Sequence, residues 1–268
     1  MPTVGELLTT AALPLPEARA LLAKVLQVPR ERLIAFPEAA VAAPAAAAFE
    51  ALAARRHAGE PLAYLRGEQE FYGRPFRVTR DVLVPRPDTE TLVDVALECL
   101  QLLSAPRVLE LGTGSGCIAI TLQLERPDAR VVATDVSTAA LAVARGNAQA
   151  LGAAPDFLHS DWFGSLAPDA AYDLIVSNPP YVAAGDPHLA DLQHEPSEAL
   201  TDRQDGLQCL SRIIGSARTH LRPGGWLALE HGYDQAAAVE PLLRAAGFHE
   251  ISARRDAGGH LRVSRGRA

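Results

Sequence analysis

Asn178-Pro179-Pro180-Tyr181 carries the most specific chemistry in the sequence. The nitrogen of an amide or aryl amine is a poor nucleophile because its lone pair is delocalised. Its two hydrogens call for two acceptors, and Asn178 Oδ1 with the Pro179 carbonyl can supply them. The prolines donate nothing and restrict the backbone, so the Asn178 side chain and nearby carbonyls have a set direction. Tyr181 offers a surface that packs against a planar group. Acceptors on both hydrogens favour charge build-up at nitrogen and aim its lone pair at an electrophile. Such positioning contributes several kcal/mol, on the order of a few powers of ten in rate. The four residues are therefore candidate catalytic and substrate-binding residues; the bland alternative is a proline turn without chemistry.

Val108-Leu109-Glu110-Leu111 runs into Gly112-Thr113-Gly114-Ser115-Gly116. Glycines at this density let the backbone turn tightly and approach a ligand. The spacing is one residue short of the dinucleotide fingerprint. Glu110 would repel a pyrophosphate and suits a cationic ligand. A tight strand-to-helix turn is the structural alternative. Val131-Val132-Ala133-Thr134 then ends in Asp135, 19 residues past Gly116. A carboxylate at the next strand end can accept both hydroxyl hydrogens of a ribose, or it can cap a helix over 136–144. Together the loop and Asp135 imply a nucleoside ligand. Asp161-Trp162-Phe163 follows a third strand. There a carboxylate can accept from an adenine amino group and an aromatic can flank the ring; alternatively, the aromatics belong to the core.

These residues need strands that end together. Strand candidates are 107–111, 130–134, 156–159, 172–177, 226–230, 248–251 and 261–264, with helical stretches such as 138–151 and 208–220 between them. That alternation predicts an α/β fold with a mostly parallel sheet covered on both faces, whose ligands bind beyond the carboxyl ends of the strands. Residues 1–70 read as helical. Thr3 and Glu6 form a capping box for a helix over 4–12; Pro16 and Pro44 suit first turns. Residues 71–84 suggest short strands at 71–78 and 82–84, a stiff hairpin connector. Asp88 is placed to cap a helix over 89–102.

Composition narrows the function. The 268 residues are 48% hydrophobic and 21% charged, ordinary for a folded soluble chain. The net charge of −7 argues against a protein held to nucleic acid mainly by charge. Cys99, Cys117 and Cys209 are scattered, which suggests neither a disulfide framework nor a thiolate metal site and favours a reducing cytoplasm. No metal site is expected. No apolar run is long enough to span a bilayer, and no leader pattern is read at the N-terminus.

Glu110-Leu-Gly-Thr-Gly-Ser-Gly116 with Asp135 resembles the S-adenosylmethionine site of class I (Rossmann-like) methyltransferases. Asn178-Pro-Pro-Tyr181 is similar to the motif of enzymes that methylate a planar NH₂. Pro85-Arg-Pro-Asp-Thr-Glu90, Ser160-Asp-Trp-Phe163, His194-Glu-Pro196 with Ala199-Leu200, and Leu229-Glu-His-Gly232 occur with them in one order. The set resembles the HemK/PrmC family, the protein-(glutamine-N5) methyltransferases of peptide chain release factors. The resemblance implies a seven-stranded methyltransferase domain at 85–268, a helical substrate-docking domain at 1–70 and a β-hairpin connector at 71–84. It implies that Gly112, Thr113, Gly114, Ser115 and Gly116, with Glu110, hold the methionine part of the cofactor. Asp135 would take the ribose; Asp161 and Trp162 would sit at the adenine end, and Asn178 would border the cofactor too. Asn178, Pro179, Pro180 and Tyr181 would hold the glutamine amide of a Gly-Gly-Gln loop. Methyl transfer would modulate translation termination and leave S-adenosylhomocysteine. Metal, membrane and nucleic acid are not called for, and a cytoplasmic monomer is expected. Two rivals stand beside this reading: a methyltransferase acting on exocyclic amines of DNA or RNA bases, and a non-catalytic binding module. A nicotinamide dehydrogenase fits the loop spacing and Glu110 poorly.

Overall fold

The computed structural model describes Met1–Ala268 apart from Pro168. It divides into two compact units, Met1–Glu68 and Gln69–Ala268.

The first unit is all helical: α1 (Val4–Thr10), α2 (Leu15–Leu26), α3 (Arg30–Ala35), α4 (Ala43–His57) and α5 (Leu62–Arg66). The capping box forms as expected, with Thr3 Oγ accepting from Glu6 N and the Glu6 carboxylate accepting from Thr3 N. Leu7, Leu21, Leu22, Leu33, Phe49 and Leu65 make its core. Lys24, the only lysine, donates to the Arg66 carbonyl at 2.7 Å, where α5 ends at Gly67. Helices α3 and α5 are too short to show an apolar period, so the sequence reading missed them.

A hairpin of β1 (Glu68–Phe71) and β2 (Arg74–Arg77) begins on the last residue of the first unit and opens the second. Tyr72 and Gly73 turn it, both with positive φ, as a two-residue hairpin turn requires. The hairpin thus begins before the expected connector and ends before Val82–Val84, which form no strand. A short 3₁₀ turn, Pro87–Thr89, leads into α6 (Glu90–Leu100). Asp88 lies inside that turn and makes no cap; it pairs with Arg262 at 3.2 Å.

The rest alternates as expected. In order come β3 (Arg107–Leu111), α7 (Cys117–Glu125), β4 (Arg130–Asp135), α8 (Thr138–Leu151), β5 (Asp156–His159) and β6 (Tyr172–Ser177). Then follow α9 (Ser197–Leu200), α10 (Gln208–Ala217), β7 (Leu221–Glu230), α11 (Ala236–Ala245), β8 (His249–Arg255) and β9 (Leu261–Arg267). The strands form one seven-stranded sheet, ordered β5-β4-β3-β6-β7-β9-β8. Pairs among β3 to β7 are parallel, and β9 runs antiparallel to β7 and β8. The last two strands run further than their apolar residues suggested, because exposed Arg254 and Arg255 continue the first and half-buried Arg265 and Arg267 the second. Val108, Leu109, Leu174, Ile175 and Val176 are fully buried, as central strands covered on both faces must be. The order reverses beside β3, whose neighbours are β4 and β6. The crevice at that switch point is where a ligand belongs.

Candidate active site

Register puts the strand ends level. Leu111 pairs with Thr134 on one side and with Ser177 on the other. Gly112, Asp135 and Asn178 therefore emerge together at the carboxyl edge. They line one cavity of about 320 Å³, built wholly from the second unit.

The glycine loop is its floor. The Thr134 carbonyl accepts from both Gly112 N and Thr113 N at 2.9 Å. Gly112 and Gly114 have φ of +73° and +54°. A Cβ on Gly114 would meet nothing within 4 Å, and one on Gly112 only the Trp162 ring at 3.7 Å. These bare positions are where a ligand can lie on backbone. Gly116 has a different use. A Cβ there would fall 2.8 Å from Ile120 Cδ1 and 3.1 Å from Ala144 Cβ, so it permits α7 and α8 to pack closely and does not line the cavity.

Glu110, expected to face a cationic ligand, is fully buried beneath the loop and has no surface in the cavity. Its Oε2 accepts from the Thr113 hydroxyl at 2.6 Å and from Ala119 N at 3.1 Å. It therefore shapes the loop from below. Burial pushes its carboxyl up to about 8, against the lowering effect of those hydrogen bonds. The folded chain thus keeps a proton that the unfolded chain releases near its ordinary value of 4.5. The stabilisation is full below that value and is lost as pH rises through about 8. Glu110→Gln, which cannot titrate, should flatten the curve. Thermal melts of the ligand-free protein from about pH 5 to about pH 9 should show the parent losing several degrees more than the variant. Parallel curves would mean that Glu110 is not protonated in the fold.

Asp135 is held by the loop it faces. Oδ2 accepts from Gly114 N and Oδ1 from Ser137 N, both at 2.8 Å. The helix-cap alternative fails: Ser137 caps α8, accepting from Ala140 N at 3.1 Å. Both Asp135 oxygens keep a lone pair for a ligand. Asp161 and Trp162 also line the cavity. Asp161 pairs with Arg212 at 2.7 Å. Trp162 takes a φ of +51°, which for a bulky residue costs on the order of 1–3 kcal/mol. The Ser160 hydroxyl donates to the Trp162 carbonyl at 2.9 Å and helps hold that turn. Phe163 instead stacks on His220 at 4.7 Å, so for that aromatic the core alternative holds.

Asn178 and Pro180 line the same cavity at the end of β6. The Ser177 hydroxyl donates to the Leu111 carbonyl at 2.7 Å, tying the turn to the end of β3. Asn178 Nδ2 donates to Thr89 Oγ1 at 3.3 Å. Pro179 is buried and Tyr181 packs into the core beside β6. Neither lines the cavity. The Tyr181 ring, expected against the planar group, is thus placed behind the wall, and its hydroxyl donates to Glu230 Oε1 at 3.2 Å.

Sequence reasoning gave no role to several residues the structure brings in. Segments 81–86 and 196–201 wall the cavity mouth. Buried Glu195 joins them, accepting from Val84 N at 2.9 Å and from the Arg86 guanidinium. Asn147 on α8 donates to the Ser115 carbonyl at 2.8 Å and to the Arg77 carbonyl at 3.0 Å, linking loop and hairpin. The family-like His194-Glu-Pro196 was a visible signal for Glu195; nothing local marked Asn147. His231 bonds Ser264 Oγ and the Gly232 carbonyl, both at 2.8 Å, and is structural. Among the described residues no group of His, Cys, Asp or Glu could hold a metal.

Gly206 braces the substrate wall from outside. Its φ is +81°, and a Cβ would sit 2.3 Å from the Tyr181 carbonyl oxygen. Gln235 Nε2 donates to that same oxygen at 3.0 Å. Gly206→Ala must displace the Tyr181 backbone, so turnover should fall about tenfold or more while donor affinity stays near the parent's. Calorimetric donor titration beside a methyl-transfer assay checks both halves.

A doubly wound sheet with a bare glycine loop, an acidic second strand end and an Asn-Pro-Pro-Tyr turn on one cavity defines a class I methyltransferase. Residues 89–195 match the methyltransferase small domain, and residues 4–67 match the PrmC N-terminal domain. The release factor glutamine methyltransferase of Bordetella pertussis is 53% identical over 268 residues, covering 99% of each chain. That of Burkholderia pseudomallei is 50% identical over 273 residues, covering 99% of this chain and 96% of the other. The chain belongs to the release factor glutamine methyltransferase family. A solved methyltransferase from Pyrococcus furiosus shares the fold, at 18% identity and a TM-score of 0.56 over 80% of this chain and 96% of that one.

A methyltransferase needs a methyl donor, and the sequence resemblance implies S-adenosylmethionine. The residues fit it: glycines whose missing Cβ atoms leave the floor bare, an acceptor at Asp135, and no cation among the loop residues Gly112–Gly116 to repel a sulfonium.

Proposed function

We infer that this chain methylates the side-chain amide nitrogen of a glutamine in a peptide chain release factor, within the family's Gly-Gly-Gln loop. The observation that carries the reading is that the Asn178 turn and the bare glycine loop line one cavity. Relatives about half identical over their full length, named for release factor glutamine methylation, support the substrate.

The donor supplies an electrophilic methyl group on a sulfonium. The chain supplies position. Asn178 Oδ1 takes an amide hydrogen and turns the nitrogen lone pair toward the donor floor, whereas Pro179, expected to offer its carbonyl as the second acceptor, is buried outside the cavity. Pro180 closes the wall and, with segments 81–86 and 196–201, keeps water from the reacting atoms. No general base is assigned, since an amide that has gained a methyl group is acidic enough to pass its proton to water.

The same reading makes the chain a cytoplasmic monomer that meets a protein without help from nucleic acid. The three free thiols, a cavity completed within one chain and the net charge of −7 support it. No helix among the described residues is long and apolar enough to cross a membrane. The helical unit would dock the protein substrate, in keeping with its PrmC N-terminal match. Deleting residues 1–68 should spare donor binding and reduce methylation of a full-length release factor about a hundredfold, seen as a higher KM.

The decisive experiment supplies methyl-labelled donor and an unmethylated release factor, then maps the label by peptide mass spectrometry. Label on the Gly-Gly-Gln glutamine amide supports the reading. Label only on added DNA or RNA would overturn the substrate and keep the enzyme class.

A further inference from the structure

Glu195 does not line the cavity, and its side chain is only 2% exposed. It nevertheless joins the two segments of the cavity mouth. Oε2 accepts from Val84 N at 2.9 Å, 111 residues away in the chain, and Oε1 accepts from the Arg86 guanidinium. Each segment in turn holds one end of the Asn-Pro-Pro-Tyr turn. Arg86 precedes the 3₁₀ turn, where its carbonyl accepts from Thr89 N at 3.1 Å. Thr89 Oγ1 then accepts from Asn178 Nδ2 at 3.3 Å. In the other direction the chain runs from Glu195 through α9 to Leu200. The Leu200 carbonyl accepts from Val182 N at 2.9 Å, one residue past Tyr181.

We propose that Glu195 is a positioning residue for methyl transfer, the joint that closes a ring of chain around the Asn178 turn. The inference rests on the glutamine-amide reading above. The ring runs from Asn178 to Thr89, back along the chain to Arg86 and Val84, across to Glu195, and through Leu200 to Val182 and the turn again. Prolines make it stiff. Pro85 and Pro87 flank Arg86, and Pro196 follows Glu195, so the backbone on both sides of the joint has few choices. A fixed Arg86 therefore fixes Thr89, and Thr89 keeps Asn178 Nδ2, which leaves Oδ1 for the substrate NH₂. With the joint open, Thr89 and Val182 hold the turn from two segments free to move apart. The acceptor then loses its aim at the reacting nitrogen, which costs rate more than donor binding.

The test uses full-length Arg86→Met, Arg86→Lys and Glu195→Gln with S-adenosylmethionine and a release factor substrate. Arg86→Met keeps the stem and loses the guanidinium. Glu195→Gln keeps an acceptor for Val84 N and sets its NH₂ against the Arg86 donors. Each should lower kcat about tenfold or more, with the donor Kd within about threefold of the parent. The double variant should be little slower than either single one, because both open one joint. A single nitrogen of Arg86 meets Glu195, and a lysine ammonium can take that place as a point charge. Arg86→Lys should therefore return kcat to within about fivefold of the parent. Amide hydrogen exchange of Arg86→Met should quicken in 81–86 and 196–201 together and stay unchanged in 112–116. Parental kcat in Arg86→Met, an Arg86→Lys variant as slow as Arg86→Met, or faster exchange in one mouth segment alone overturns the proposal. Should Glu195→Gln fail to fold, the two Arg86 variants decide alone. A parent enzyme that puts no methyl on the glutamine amide defeats the functional reading and this proposal with it.

Discussion

Asn178→Ala should lower turnover about a thousandfold while leaving donor affinity within about threefold of the parent. The substitution removes the acceptor that holds the substrate NH₂ from the cavity wall. It leaves the glycine loop and Asp135, which line the same cavity, unchanged. Removing an acceptor that acts on the reacting nitrogen raises the barrier where charge develops, so the loss falls on kcat. Among the described residues the Asn178 side chain gives up one hydrogen bond, to Thr89, and the β6 end stays tied to β3 through Ser177. The fold should therefore survive. Single-turnover transfer from labelled donor, beside a calorimetric donor titration, separates the two effects. Turnover within tenfold of the parent in a folded variant would sink the mechanism.

Asp135→Ala should have the opposite signature. Two hydrogen bonds from ribose hydroxyls to a carboxylate are each worth about 1.5–3 kcal/mol, so donor affinity should drop at least a hundredfold. The loss has a second source. Asp135 Oδ2 also holds Gly114 N at 2.8 Å, so its removal frees the middle of the cavity floor. At saturating donor, kcat should recover to within about threefold, because nothing on the substrate wall has changed. Unchanged donor affinity would remove Asp135 from the donor site and leave it as a loop anchor. Measured together, the two variants divide the cavity into a donor half and a substrate half.

The chemistry was legible because it sits in consecutive residues at strand ends. Gly112–Gly116 and Asn178–Tyr181 are each one turn long, and a turn of glycines or prolines dictates its own backbone. Legibility stopped where direction mattered. Glu110 and Tyr181 were placed in the right turns and assigned the wrong exposure. A residue's side of a turn depends on what packs beneath it, here Thr113 and Ala119 for Glu110 and Glu230 for Tyr181. Asp88 and Asp135 both had the residue type of helix caps. Neither serves as one, because Pro87 starts a 3₁₀ turn ahead of α6 and Ser137 lies closer to the start of α8.

Composition and pattern by themselves determined the class of fold, the seven strands and the two turns that carry the reaction. Those features follow from local alternation and from residues whose backbones have few choices. Tertiary structure alone decided what surrounds them. Glu195 reaches Val84 and Arg86 across more than a hundred residues, Asn147 joins the hairpin to the glycine loop, and Thr89 is brought to the Asn178 side chain. Asn147 has no local signature at all, and the short motifs around Glu195 and Thr89 do not say what either residue touches. What gives each of them its role is the stacking of parallel strands in register, which brings distant polar groups into a dry crevice where every one of them needs a partner.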